Sequence, residues 1–238
     1  MWLHSAAPRE RAYKNTYDLG KTTLLGKVPQ GATVSLRALV DKALCSVTNS
    51  GEHEIYFGAV EVNGSGIRFY GDICFVLKTA VVDNDTVVLT SNSYDLVRPP
   101  ITQAGTKPKA ATLLSRVKTM AGLWDNDLPE MTVLKALSAR NVTERRLTTG
   151  QVSDVVLNDE DYLEVLKLGS FDASDLQEVR VSAADAAAEG QISEQLRLGL
   201  CPNLAELQWR KHRRAAVKAL QGCGIRTRVI TTSGRVRA

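Results

Sequence analysis

The sequence is poor in the residue types that most often build metal sites and disulfide frameworks. It has only 3 histidines and 4 cysteines among 238 residues. The cysteines, at positions 45, 74, 201 and 223, lie far apart, form no C-x-x-C pair and have no histidine at metal-ligand spacing. We therefore expect free thiols and no bound metal.

Long apolar runs are also missing. No stretch approaches the roughly 20 apolar residues that a membrane-spanning helix needs, and the opening "MWLHSAAPRERAYK" has no apolar core of the length found in secretory signals. We expect a cytoplasmic protein without a membrane partner. The G-x-S-x-G elbow of serine hydrolases and the H-x-x-x-H spacing of metal hydrolases do not occur, so neither class is favoured.

The composition is that of an ordinary globular chain, but its charge is unevenly distributed. Hydrophobic residues make up 44% and charged residues 24%, with a formal net charge of +4. Nine arginines and lysines, and no acid, lie between Trp209 and Ala238. The C-terminal end is therefore strongly cationic.

Runs of β-branched and aromatic residues predict strands in two clusters. In the first, "HEIYFGAVEV" and "IRFYGDICFVLK" are separated by "NGSG", which predicts a β-hairpin, and "TVVLTS" follows at 86–91. The second cluster holds "VSDVVL", "YLEVLKL" and "LQEVRV", and "IRTRVITT" ends the chain. The prolines in 98–108 mark the best linker candidate, although the strands on both sides of it are expected in one core.

Apolar periodicity and capping residues predict the helices. We expect helices over 34–43, 110–122 and 129–140, a fourth that begins after Ser182, and a fifth that begins after Asn203, where Glu206 completes a capping box. Strand clusters separated by helices predict an α+β fold. We expect a single domain over 1–238 with a split, mixed or antiparallel sheet and flanking helices, a variable region at 1–50 and a basic helix and strand at 203–238.

An acid interrupts one apolar strand, in "DEDYLEVLKLG" at 159–169. Alternation places Tyr162, Glu164, Leu166 and Leu168 on the same face. The ordinary explanation is an edge strand that turns its Tyr and Glu to solvent. The functional explanation is a carboxylate held on rigid backbone beside an aromatic ring, at the edge of a cleft.

Two segments resemble a known superfamily. "YLEVLKLGSFDASDLQEVRV" is similar to the late part of ADP-ribosyltransferase domains, where a strand with the catalytic glutamate precedes a loop and another strand. "YGDICFVLKTAVVDNDTVVLTSNSYD" resembles the middle strands of the same superfamily, particularly of DarT-like toxins. The resemblance spans about 56–182, and the family's arginine and histidine motifs have no clear counterpart in the first fifty residues.

The resemblance implies a glycosyltransferase that takes NAD as its substrate, requires no metal and transfers ADP-ribose to a macromolecule such as DNA or RNA. Glu164 would be catalytic, because a fixed carboxylate stabilises the sugar cation that forms as nicotinamide leaves. A toxin of this kind implies an antitoxin or immunity protein as a further partner. The residues expected to bind NAD are Arg68, Tyr70, Thr90, Ser91, Asn92 and Tyr162, although Arg68 is equally a solvated strand residue and 90–92 a polar strand exit.

The basic C-terminal helix supports a competing hypothesis. Arg210, Arg214 and Lys218 follow one another at intervals of four residues, with Arg213 beside them, and such a stripe can follow a phosphate backbone. Charged stripes on helices are more often solvated faces. The alternative function is a non-enzymatic basic nucleic-acid-binding or interaction protein with a degenerate transferase fold, in which Glu164 has no catalytic role.

Overall fold

A computed structural model describes residues 32–52, 54–61, 64–67, 72–82, 86–97, 108–138 and 162–231. The fold is α+β, as predicted. The helices are α1 (Ala32–Thr48), α2 (Ala110–Met120), α3 (Trp124–Ser138), α4 (Ala183–Arg197) and α5 (Leu204–Gly222). The strands are β1 (Ile55–Ala59), β2 (Cys74–Leu77), β3 (Val87–Leu89), β4 (Ala121–Leu123), β5 (Glu164–Leu168), β6 (Leu176–Ser182) and β7 (Thr227–Ile230).

The first sheet is antiparallel, in the order β1-β5-β3-β4. The side chains of its interior strand β5 are buried or nearly buried on both faces, because helices cover both sides of the sheet. One face packs against α1 and α2 through Val40, Leu44, Leu113 and Val117. The other face packs Val88 and Val165 against Met131 of α3. The strands on either side of the 98–108 segment, β3 and β4, therefore belong to one core.

The second sheet is mixed, in the order β2-β6-β7. Strand β6 runs antiparallel to β2 and parallel to β7. A parallel neighbour requires a crossover connection, and α4 and α5 supply it between β6 and β7. Leu176 and Val179 of β6 pack against Leu220 of α5, so that this helix covers one face of the sheet.

The predicted hairpin between the first two strands is wrong. Strand β1 pairs with β5 in the first sheet, whereas β2 pairs with β6 in the second. The carboxylate of Glu61 accepts hydrogen bonds from the backbone N–H groups of Gly64 and Gly66, at 2.8 and 3.0 Å. Gly66 has a φ of 78°, which favours glycine. The glycine-rich turn thus carries the chain from one sheet to the other.

The capping residues behave as predicted. The Ser182 hydroxyl accepts a hydrogen bond from the Asp185 amide at the start of α4, and Asn203 and Glu206 form a capping box at the start of α5. These contacts satisfy backbone N–H groups that have no partner inside a helix. No helix within the described ranges combines the length and the apolar character needed to cross a bilayer.

Candidate functional site

Glu164 is the first residue of β5, an interior strand, and its side chain is buried. The explanation as a solvated edge strand is therefore wrong. Glu164 is paired with Ala59 of β1 on one side and Leu89 of β3 on the other. Only 3% of the residue is exposed, because α1 and the chain after β3 close over this end of the sheet.

The β3–β5 pairing brings a distant turn to the carboxylate. Strand β3 ends at Leu89, level with Glu164, and the chain continues through 90–92 into a short 3-10 helix, Ser93–Val97. The amide N–H of Ser93 donates a 2.9 Å hydrogen bond to Oε2 of Glu164, across 71 residues of sequence. The first amides of a helix have no internal partner, so the carboxylate caps this turn.

Helix α1 places two charged side chains near the same carboxylate. Nε of Arg37 lies 2.8 Å from Oδ1 of Asp41, whose side chain is almost fully buried. The Arg37 guanidinium also lies 4.7 Å from the ring centroid of Phe57 in β1, where a cation is attracted to the ring face. A buried acid and a fixed cation thus influence Glu164 from the helix that covers it.

The charge state of Glu164 reflects these surroundings. Burial raises the pKa of Glu164 above its usual value of 4.5, since a charged carboxylate is poorly solvated in the interior. Contacts with Ser93 and the positive charge of Arg37 lower the pKa and offset part of this rise, whereas Asp41 adds to it. The result is a carboxyl group that keeps its proton to a higher pH than a surface glutamate does.

The structure brings some of the other predicted NAD-binding residues to the same end of the sheet. Thr90, Ser91 and Asn92 lie directly between Leu89 and the turn that Glu164 caps; Thr90 is exposed, Ser91 half-buried and Asn92 buried. Tyr162 is buried, with 2% of its surface exposed, so its ring presents no open face to a ligand. Arg68 and Tyr70, like the predicted strand "VSDVVL", lie outside the described residues.

The predicted nucleic-acid contacts are divided between the interior and the surface of α5. Arg213 is buried: its Nε lies 3.1 Å from Oε2 of Glu189, and its Nη1 donates to the carbonyl of Asp72. Arg210 is half-buried and donates to the Ser193 hydroxyl. Arg214 and Lys218 are exposed. The outward cations of this helix are therefore Lys211, Arg214 and Lys218, a different set from the predicted stripe.

The sequence reasoning missed the three residues that surround the Glu164 carboxylate. Arg37 and Asp41 stand four residues apart on a predicted helix, a spacing that brings opposite charges together and could have indicated the pair. Ser93 carries no local signal, because its contact with Glu164 depends on which strands pair. No group of three or more histidine, cysteine, aspartate or glutamate side chains is arranged to hold a metal ion in the part of the chain that the structure describes.

Comparison with protein-family models, with curated proteins and with solved structures found no match to this chain.

Proposed function

We propose that the chain is a toxin-like, NAD-dependent ADP-ribosyltransferase in which Glu164 is the catalytic carboxylate and the acceptor is a macromolecule. The observation that supports this most directly is the hydrogen bond from the Ser93 amide to Oε2 of Glu164. It fixes the orientation of a buried carboxyl on an interior strand, beside the polar residues 90–92. Active sites commonly hold such groups, whose pKa is shifted by burial and by a specific neighbour.

The chemistry follows from the charge that develops during the reaction. When the bond between nicotinamide and ribose breaks, nicotinamide leaves with the bonding electrons and the ribose carbon becomes oxocarbenium-like. The Glu164 carboxylate stabilises that positive charge and accepts a hydrogen bond from a ribose hydroxyl. The acceptor then attacks the ribose carbon and loses its proton to solvent. The Ser93 amide and Arg37 favour the ionised carboxylate that this role requires.

The burial of Glu164 adds a requirement to the proposal. Because only 3% of the residue is exposed, NAD reaches it only when the Ser93–Val97 turn moves away from the carboxyl. Ligand-induced closure and opening of such turns is common in enzymes. Addition of NAD should therefore change the protease sensitivity or hydrogen exchange of residues 90–97 in the wild-type chain.

The test compares nicotinamide release from labelled NAD by the wild-type chain and by Glu164→Gln, with DNA, RNA and protein present as acceptors. The glutamine side chain keeps an oxygen that can accept the hydrogen bond from the Ser93 amide, so the variant should fold. We expect it to lose turnover by about 100-fold or more, the usual cost of removing a group that stabilises the transition state. Glu130→Gln, which changes an exposed acid on α3, should retain full activity.

Two results would contradict the proposal. One is full nicotinamide release by Glu164→Gln, and the other is absence of release by the wild-type chain with every acceptor. The second candidate is a non-enzymatic interaction protein, favoured by the fact that capping of the Ser93–Val97 turn accounts for the position of Glu164 without any substrate. Under that candidate, NAD leaves the hydrogen exchange of residues 90–97 unchanged.

A further inference from the structure

The outward face of α5 begins with an exposed leucine and continues with exposed lysines. Leu204, Lys211 and Lys218 follow one another at intervals of seven residues, so they share a face of the helix, and all three are exposed. Arg213 and Leu220, which are buried, lie on the opposite face. The two lysines therefore point away from the sheet that α5 covers.

The positive charge of this face has little compensation within the chain. Lys211 and Lys218 make no ion pair with any residue in the described ranges, and the Arg214 side chain is 59% exposed although its Nε lies 3.3 Å from Oε1 of Glu189. The one acid in the sequence of α5, Glu206, belongs to the capping box at the start of the helix. Solvated helices usually carry charges of both signs, whereas this cationic face, formed by Lys211, Arg214 and Lys218, carries only one.

Exposed leucines precede the cationic face. Leu198, Leu200 and Leu204 are 59%, 57% and 69% exposed, and they lie in the connection from α4 to α5 and in the first turn of α5. We call these three residues the leucine joint. Single exposed leucines are ordinary, but several within one short segment are typical of an interaction surface.

The combination of leucines and cations discriminates among the partners of a basic surface. The phosphate backbone of DNA or RNA pairs with lysine and arginine, but it offers no apolar contact to the leucine joint. An anionic bilayer offers both contacts, because its headgroups attract cations and the boundary of its acyl chains accepts apolar side chains. An acidic protein would have to match the positions of the leucines and of the cations, whereas a fluid bilayer adapts to both.

We propose that this side of α5 docks on the surface of an anionic lipid bilayer. The leucine joint enters the boundary between headgroups and acyl chains, and the cationic face lies along the negatively charged headgroups. The absence of long apolar runs led us to expect no membrane partner, but a contact on the surface of a bilayer requires no such run. Glu164 takes no part in this contact, so the inference is independent of the enzymatic proposal.

The first test is co-sedimentation of the full chain with phosphatidylcholine vesicles that contain or lack phosphatidylserine. We expect binding only to the vesicles with phosphatidylserine, and weaker binding as salt is raised, because salt screens the charges. Lys211→Gln/Lys218→Gln should weaken binding about tenfold, since each cation near an anionic surface contributes to it. Lys42→Gln/Lys118→Gln, which removes the same charge from exposed positions on α1 and α2, should bind as the wild type does.

The second test asks which part of the surface enters the bilayer. Cys201 follows Leu200 in the leucine joint, Cys223 follows the end of α5, and both thiols are exposed. An environment-sensitive dye on Cys201 of the Cys223→Ser chain should shift to the blue when phosphatidylserine vesicles are added. The same dye on Cys223 of the Cys201→Ser chain should shift much less. Leu200→Ser/Leu204→Ser should reduce the shift at Cys201 and weaken vesicle binding about tenfold.

The controls separate this proposal from other uses of the surface. A far-ultraviolet circular dichroism spectrum equal to that of the wild type shows that each variant folds. The proposal is overturned if phosphatidylserine does not increase binding, if Lys42→Gln/Lys118→Gln weakens binding as much as Lys211→Gln/Lys218→Gln does, or if the dye shifts equally at both cysteines. It is also overturned if a DNA duplex, an RNA duplex or an acidic peptide binds through Lys211 and Lys218 while the vesicles do not.

Discussion

The two sheets each bury a glutamate on their central strand, but the two acids have different partners. Glu178 of β6 receives a 2.6 Å contact from Nε of Arg180 and lies 3.8 Å from Nη1 of Arg228. Glu164 of β5 instead accepts a backbone amide hydrogen bond from Ser93, and the ion pair whose charges act on it joins two other residues, Arg37 and Asp41. One carboxylate is neutralised by its own arginine, and the other is not.

This difference shows why position in a sheet does not by itself reveal the role of an acid. In a buried ion pair, each charge compensates the other within the structure. Removing either partner therefore destabilises the fold, because the remaining charge stays buried without compensation. Burial raises the pKa of Glu164, a rise that its hydrogen bond from the Ser93 amide offsets only in part, so this carboxyl remains able to change its protonation state. The second kind is the better candidate for chemistry, which is why Glu164 and not Glu178 is placed at the proposed site.

The largest effect expected from this comparison is at Arg180. Arg180→Met leaves Glu178 buried with only the more distant Arg228 nearby and removes the hydrogen bond to the Gly64 carbonyl. We expect a loss of about 3 kcal/mol in the free energy of unfolding, measured by urea denaturation, because an uncompensated buried charge is costly.

A double variant supplies the control. Glu178→Leu/Arg180→Met removes both charges and should recover most of the stability lost in the single variant, since a well-packed apolar pair often replaces a buried ion pair without loss. A loss below about 1 kcal/mol in the single variant would mean that Glu178 is not held by Arg180, contrary to the 2.6 Å contact.

A smaller effect is expected at Glu164, where the contribution of the buried carboxyl to stability depends on pH. The folded carboxyl binds its proton more tightly than the unfolded one, so its contribution to stability is fully present below about pH 4.5 and is lost as the pH rises through the raised pKa. In Glu164→Gln this contribution cannot titrate. The stability of the wild-type chain relative to the variant should therefore fall with increasing pH above 4.5, as measured by urea denaturation at a series of pH values.

The same pH series also tests whether burial determines the pKa of Glu164. If burial did not perturb the carboxyl, the difference in stability between wild type and Glu164→Gln would be independent of pH in this range. If Arg37 rather than burial dominated, the wild-type chain would gain stability relative to the variant as the pH rises. Either result would remove the contrast with the ion-paired Glu178.

Local signals in the sequence predicted the local features of the fold. The alternation around Glu164 correctly assigned its face, and the Ser182 and Asn203 caps correctly marked the starts of α4 and α5. Capping and alternation depend on residues a few positions apart. The predicted start of α3 was less accurate. The helix was expected to begin at Pro129, whereas it begins at Trp124.

Features that depend on strand pairing could not be predicted in this way. The "NGSG" turn has the chemistry of a hairpin, but β1 and β2 pair with β5 and β6, about one hundred residues away. The short strand β4 between two helices gave no recognisable pattern. The burial of Glu164 likewise depends on the position of β5 between β1 and β3, and its contact with Ser93 is a consequence of that order.

The smallest effect is expected at a third acid and arginine, on the surface. Oε1 of Glu194 lies 2.6 Å from Nη2 of Arg197, as short as the Glu178–Arg180 contact, but these side chains are 53% and 69% exposed. Water solvates both charges whether or not they meet, so the pair contributes little. Arg197→Ala should leave the urea midpoint within experimental error of the wild type, at low and at high salt. A loss like that of Arg180→Met would show that contact distance, rather than burial, determines the cost of removing an arginine from its acid.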